Sequence, residues 1–438
     1  MLYFIKMKKF IILLSFSILG FSSCKKDVSP ATTPTLDEQA RDTLYAAMNQ
    51  YYFWYKLMPV VNVNDYKDPY TLLEAMRYKT LDRWSFVQTY DEYHAQSTGS
   101  FVGHGISMGL DLNNNVRIAE IYKNSPLYTV GVRRGWIVKK LNNTDLAPIF
   151  IANNGTVYNQ LIGPSQANVT NTFLFTTPKG TDTTIVSTKA AFTLNTVIVA
   201  DTLHLKSGIA GHLVFDQFIP PSNSELATAF AYFSQNNIKD IIVDLRYNGG
   251  GDLSVLQNMA SYLAGAAKAN TPFLTLTFND KNAQYNQTYS FKIVATPLSL
   301  SRLVVITTRG TASASEDFIN GLKPLLPVVT IGDTTNGKPV GMLGFQFRTS
   351  YFFWPISFSL VNSLNQGDFY QGFVPAKEVA DDITHDWNDR KEACFKEAIY
   401  YLEHGNVSTK GLYVGGKPSN IKFDELSNKN NNAYIINK

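Results

Sequence analysis

Apolar residues along this chain change their spacing several times, and each change predicts a different kind of element. From Leu36 the spacing is three and four: Leu44, Met48, Tyr51, Tyr52 and Tyr55 share one face, and a second helical stretch follows around Tyr70 to Tyr78. Residues 36–97 are therefore expected to form a small helical domain, with the aromatic stripe Y-Y-F-W-Y in its core. Over 98–190 short alternating runs separated by turn residues predict a β-rich module, with strands through Val116, Ile118 and Ile121 and over 137–141. Over 191–405 the two periods alternate. Strands are predicted at 212–218, 238–245, 273–278, 303–308 and 328–331, and helices at 224–233, 253–263 and 315–323, an order that predicts an α/β core. The final stretch, 406–438, is rich in Asn and poor in apolar residues, which predicts a loosely packed tail.

Composition narrows this picture. With 438 residues, 45% of them hydrophobic and 17% charged, the chain can bury two or three cores. A net charge of +4 with no long basic run offers no footprint for nucleic acid. At the start, Lys6, Lys8 and Lys9 precede an apolar run over 10–19 that is short for a membrane span of about 20 residues, which predicts a cleaved export signal. Its ending, L-G-F-S-S-C, resembles a bacterial lipoprotein signal. That resemblance implies removal of 1–23, acylation of Cys24, a flexible tether over 24–35, and an exported protein anchored to the cell envelope, periplasm or outer membrane. The one other cysteine, Cys394, leaves no partner for an intramolecular disulfide framework in the mature chain.

Three segments carry candidate chemistry. In R-G-T-A-S-A-S-E-D-F, 309–318, a buried-strand run leads through a tight turn into a helix, so Ser313 would sit beside free N–H groups and the positive end of the helix dipole. The same four residues, Ser313 to Glu316, also fit a capping box, S-x-x-E. Past the next strand, G-D-T-T-N-G-K-P-V-G places Lys338 where it could meet Ser313. A lysine serves as a base only when its ordinary pKa of about 10.4 is lowered, and Pro339, Val340 and Met342 offer low-polarity walls for that. The alternative for Lys338 is a solvated loop charge. Third, I-I-V-D-L-R-Y-N-G-G-G, 241–251, ends a strand in three glycines, which suits either an oxyanion hole or a structural turn; it lacks both phosphate-loop patterns.

Together the three segments resemble the C-terminal processing peptidases, or tail-specific proteases. Their D-L-R-x-N-x-G-G appears as Asp244 to Gly251, their S-A-S-E as Ser313 to Glu316, and their G-K as Gly337-Lys338. The resemblance covers about 36–405. It implies a serine endopeptidase with a ClpP/crotonase-like core, Ser313 as nucleophile, Lys338 as base, and the N–H groups of Gly250 and Ala314 as oxyanion donors. It also implies a PDZ domain before the core, with Gly105-Ile106 resembling the start of the peptide-binding strand and Ser125-Pro126, Gly131 and Gly135 the turn region after it. Substrates would be polypeptides engaged by their C-terminal segments, and no cofactor or metal is implied.

Two departures stand out. Trp136 replaces the common Asp of the PDZ pattern, and Met342 replaces a Gln that orients the lysine in the family's bacterial processing enzymes. Thr334, Thr335 or Asn336 would then have to orient Lys338, or the dyad works alone, or the chain is a weak or inactive peptidase-like scaffold that binds peptides. D-R-W-S-F at 82–86 and G-K-P-V-G-M at 337–342 further resemble lipoprotein peptidases of Bacteroidetes-type bacteria. The six histidines form no H-E-x-x-H zinc motif, and a Ser-His-Asp triad would have to draw on His204 or His212.

Overall fold

The computed structural model describes residues 33–409 and the backbone of 422–424. Cys24 and the expected signal segment lie outside the described residues.

The core is built on a six-stranded sheet in the order Val197–Leu205, Gly208–Phe215, Asp240–Asp244, Arg302–Thr307, Val328–Gly332 and Lys377–Glu378. Its first pair is antiparallel and the rest are parallel, as strand–helix alternation requires. Successive side chains in Asp240–Asp244 point to opposite faces. Ile241 and Val243 therefore join the cluster beneath the helices Ser222–Gln235, Leu253–Ala264 and Ala314–Leu322, while Ile242 joins the cluster under Ala393–His404. A four-stranded antiparallel sheet, Gln287–Ser290, Pro272–Phe278, Ile356–Asn362 and Val340–Met342, covers the three helices through Leu274, Leu276, Phe358 and Leu360. The mixed α/β core and the helical region before it are those the sequence predicts.

That N-terminal region is less self-contained than its periodicity implies. Its helices, Leu36–Tyr51, Pro69–Met76 and Tyr90–Thr98, start as local chemistry dictates: capping boxes at Thr35/Glu38 and Thr89/Glu92, and Asp68 before a proline at the first helical position. Its core, however, pools Leu44, Met48, Tyr52, Leu72 and Trp84 with Val340, Phe353 and Ile356. The segment also supplies a strand, Phe86–Thr89, to a sheet with Tyr351–Trp354 and Phe345–Phe347. An expected helical domain is thus half of a layer completed by residues 340–356. A run of four residues between two helices carries too little period to announce a strand that only a distant partner creates.

The module after it holds Ile106–Leu110, Val116–Ile121, Ile137–Leu141, Thr170–Thr176 and Asp182–Thr188 in one antiparallel sheet. It also holds three short helices, Pro126–Thr129, Ala147–Ile151 and Gly155–Ile162, that alternation alone does not predict. A buried ionic cluster ties it to the core. Arg134, fully buried, donates to Tyr247 Oη at 3.1 Å and His385 O at 3.1 Å and lies 3.9 Å from the Trp387 ring. Next to Tyr247, Arg246 binds Asp244 at 2.7 Å, Glu392 at 2.8 Å and Asp381 at 2.9 Å. Such a guanidinium fixes the strand end from which the three glycines depart.

Candidate active site

Ser313 ends the turn between the strand Arg302–Thr307 and the helix Ala314–Leu322. It adopts φ +56°, ψ −120°, a region costly for a side-chain-bearing residue. The surroundings hold it there: Ala312 N donates to Asn248 O (3.1 Å), Ser315 Oγ to the same oxygen (2.9 Å), and Thr311 Oγ1 to Leu245 O (2.8 Å). The capping box expected from sequence closes through its glutamate arm, Ser313 N donating to Glu316 Oε2 at 3.0 Å, while Glu316 N donates to the Ser313 carbonyl at 2.7 Å and Ser313 stays half-buried.

Glu316 does more than close a cap. The same Oε2 accepts Lys338 N at 2.8 Å, and Oε1 accepts Gly337 N and Thr335 Oγ1, each at 2.6 Å. One buried carboxylate oxygen therefore receives the backbone N–H of both Ser313 and Lys338, which makes two residues from separate strand ends immediate neighbours. Burial pushes the Glu316 carboxyl up, against the pull of its four donors.

Lys338 is 3% exposed, and burial lowers its amine to about 8 against the attraction of Asp82, Glu316 and Asp317. Its Nζ meets Met342 Sδ at 3.6 Å. Among the described residues the amine and the Ser313 hydroxyl share no hydrogen bond. The expected orienting residues do not reach Nζ either. Thr335 spends its hydroxyl on Glu316, Asn336 Oδ1 accepts Trp84 Nε1 at 3.1 Å, and Thr334 N donates to Asp333. Because a thioether accepts only weakly and an amide oxygen well, Met342→Gln is expected to stabilise the ammonium form. The midpoint of kcat/KM against pH, measured over about pH 6 to 10, should rise by up to about one unit.

Sequence reasoning missed the wall around this lysine. Asp82, buried, accepts Tyr52 Oη at 2.8 Å and the N–H groups of Trp84 and Ser85 at 2.9 Å. Arg83 donates to Asn336 O at 2.9 Å, so the 82–86 turn of the N-terminal region braces the loop that carries the amine. The D-R-W-S-F string was the available signal; which loop it would touch was not readable.

Gly250 lies against the serine turn. At φ +102° any Cβ would sit 2.8 Å from Ala312 O and from Ser313 Cβ and 2.9 Å from Ala314 N, so only glycine fits. Its N–H, expected to face an oxyanion, is instead given to Asn248 Oδ1 at 2.9 Å, because Asn248 is buried and needs an acceptor role for that oxygen. Of the two expected donors, Ala314 N–H alone has no hydrogen-bond partner among the described residues.

Other candidates separate. His212 is on the opposite face of the sheet, stacked on Phe395 at 4.2 Å with Nδ1 on Asn388, and burial lowers it to about 4. His204 is exposed on the outermost strand. Neither hydrogen-bonds Ser313, so the triad alternative fails. Among the described residues no group of three or more His, Cys, Asp or Glu could hold a metal, and no helix is long and apolar enough to cross a membrane. Gly105 and Ile106 stand away from Ser313, at the start of the module's Ile106–Leu110 strand; Gly105 has φ +74°, and a Cβ there would meet Ser125 Cβ at 2.1 Å.

Comparison with known proteins bears on these same segments. Residues 210–355 match the model of peptidase family S41, and 39–86 match that of the peptidase S41 N-terminal domain. A CtpA-like serine protease of Staphylococcus epidermidis is 26% identical over 64% of this chain, and one of Staphylococcus aureus 24% identical over 65%. The chain spans about half the length of these curated relatives, 51% and 52%. A solved structure from Bacteroides fragilis, described as an S41 protease, superposes with a TM-score of 0.68 at 23% identity, covering 82% of this chain and 96% of that one. The two family models fall, in order, on the turn that braces Lys338 and on the segment that holds Gly250, Ser313 and Lys338: over these stretches the chain is similar to peptidase family S41.

Proposed function

We propose that this protein is a serine endopeptidase of the C-terminal processing type, with Ser313 as nucleophile and Lys338 as general base. The observation that carries the reading is the single oxygen of Glu316 that accepts the N–H groups of both residues, beside a lysine whose amine burial has lowered to about 8.

Chemistry follows from those positions. The neutral amine of Lys338 leaves Met342, takes the proton of Ser313 Oγ, and the oxygen attacks the scissile carbonyl carbon. Negative charge on the carbonyl oxygen is met by Ala314 N–H at the helix start, joined by Gly250 N–H once substrate draws it from Asn248. Collapse breaks the C–N bond as Lys338 returns the proton to the leaving amine. A water then gives one proton to Lys338 as its oxygen attacks the acyl carbon; collapse breaks the bond between that carbon and Ser313 Oγ, Lys338 returns the proton to Oγ, and the freed acid ionises to the new carboxylate.

In the same reading the module at 98–190 is PDZ-like: a strand opened by Gly105 and Ile106 accepts a substrate's C-terminal segment as an added strand. Cys24 carries the lipid that holds the enzyme at the envelope, and its substrates are polypeptides with accessible C-termini. The amine turned toward Met342 and the Gly250 N–H tied to Asn248 favour one second reading, a peptide-binding scaffold with a latent site.

The test compares cleavage of an unfolded protein by residues 25–438 as wild type, Ser313→Ala and Lys338→Ala, with mass spectrometry for an acyl adduct on Ser313. Cleavage lost in both variants supports the dyad. Equal cleavage by all three sinks it, and binding with neither cleavage nor adduct in the wild type selects the scaffold.

A further inference from the structure

The edge of the module's Ile106–Leu110 strand is already filled, and by this chain itself. Residues Lys422–Asp424 run antiparallel to it, with Lys422 opposite Gly109, Phe423 opposite Met108 and Asp424 opposite Ser107. On its other side the strand pairs with Val116–Ile121, so the added segment completes both edges. The reason for such a guest is general: a strand with one unpaired side presents a row of N–H and C=O groups that another extended segment can satisfy. The direction is informative. From 422 to 424 the opposing residues count down from 109 to 107, so the segment advances toward Gly105, where the strand opens. All five residues of Ile106–Leu110 are buried, including Ser107 and Gly109 on the face turned from the module's core.

We infer that the segment 422–424 is an internal competitor that occupies the strand-accepting edge Ile106–Leu110, so that an extended polypeptide can add at that edge only by displacing it. This deepens the proposed function, resting on the reading that this edge receives substrate. A tethered segment competes at an effective concentration in the millimolar range. If it is seated ten times out of eleven, an incoming peptide binds about tenfold more weakly than to an open edge. Peptides that form weak strand contacts would then be excluded, and the tail would act as a threshold on engagement.

The full chain from residue 25 serves as the test protein. In an antiparallel ladder one of two successive residues gives its N–H to a given neighbour, so Lys422→Pro/Phe423→Pro removes that bond whichever residue makes it. Two measurements follow: amide hydrogen exchange over 106–110, and the affinity of a fluorescent peptide with the sequence of residues 419–428, added in trans. The double variant should lose protection over 106–110, regain it when the peptide is added, and bind the peptide about tenfold more tightly than wild type. Unchanged protection together with equal peptide affinity in both proteins overturns the self-occupancy while leaving the strand-accepting edge in place. If neither this peptide nor an unrelated C-terminal peptide binds the variant, the edge accepts no strand, and the PDZ-like reading falls together with the inference.

Discussion

Lys338→Met is expected to lower kcat by about 10⁴-fold or more while leaving the fold as stable as wild type or more so. The two halves come from one fact. The amine is 3% exposed and burial already lowers it to about 8, so under the proposed function the protein spends stability to keep a desolvated base near Ser313. Methionine fills similar volume beside Met342 without that cost, and removes the group that the proposed dyad uses to take the Ser313 proton. A surface lysine would behave in the opposite way, with neither stability nor turnover much affected. Ser313→Ala should give the same loss, and the double variant little more, because two residues that act in one proton transfer do not contribute additively. The pH dependence has a defined sign: the working form is the neutral amine, so wild-type kcat/KM should climb as pH rises through about 8 and level off above it. Steady-state kinetics across that range with urea melts of each variant checks all three statements. A wild-type profile that falls over the same interval would remove Lys338 as the base.

The parts of this arrangement differ in how far the sequence announces them. Strands such as Asp240–Asp244 and Arg302–Thr307 hold unbroken runs of three and four apolar residues between polar ones, and helices such as Leu253–Ala264 repeat at three and four, so local pattern suffices for them. Phe86–Thr89 and Lys422–Asp424 carry no such pattern, since each is a strand only because a partner hundreds of residues away offers an edge. The site divides in the same way. Ser313, Lys338 and Gly250 advertise themselves by turn chemistry and by motif. The role of Glu316 did not, because S-x-x-E reads locally as a cap, and only the folded chain shows the capping oxygen also accepting Lys338 N and the other oxygen accepting Gly337 N and Thr335 Oγ1. Asn248 likewise hides inside a glycine-rich string whose backbone claims the attention, although its side chain decides which way the Gly250 N–H points.

Glu316 carries the second large effect. Its two oxygens accept four donors, Ser313 N, Lys338 N, Gly337 N and Thr335 Oγ1, and it is fully buried. Glu316→Ala strands all four donors without solvent, a loss of about 3–5 kcal/mol that a urea titration would show as a large drop in midpoint. Glu316→Gln is the sharper probe, since it keeps the volume and one acceptor oxygen but turns an NH2 toward two of the donors. The loop holding Lys338 should shift by a fraction of an ångström to an ångström, enough to cost about 10²-fold in kcat. A merely structural role would stop there. A positioning role also moves the pH profile: the Glu316 charge is one of three that favour the ammonium of Lys338, so neutralising it should carry the kcat/KM midpoint below about 8. Activity and midpoint must therefore fall together in a folded Glu316→Gln protein. A variant that melts early yet keeps the wild-type midpoint and turnover would reduce Glu316 to a helix cap, and with it the link that brings Ser313 and Lys338 to one place.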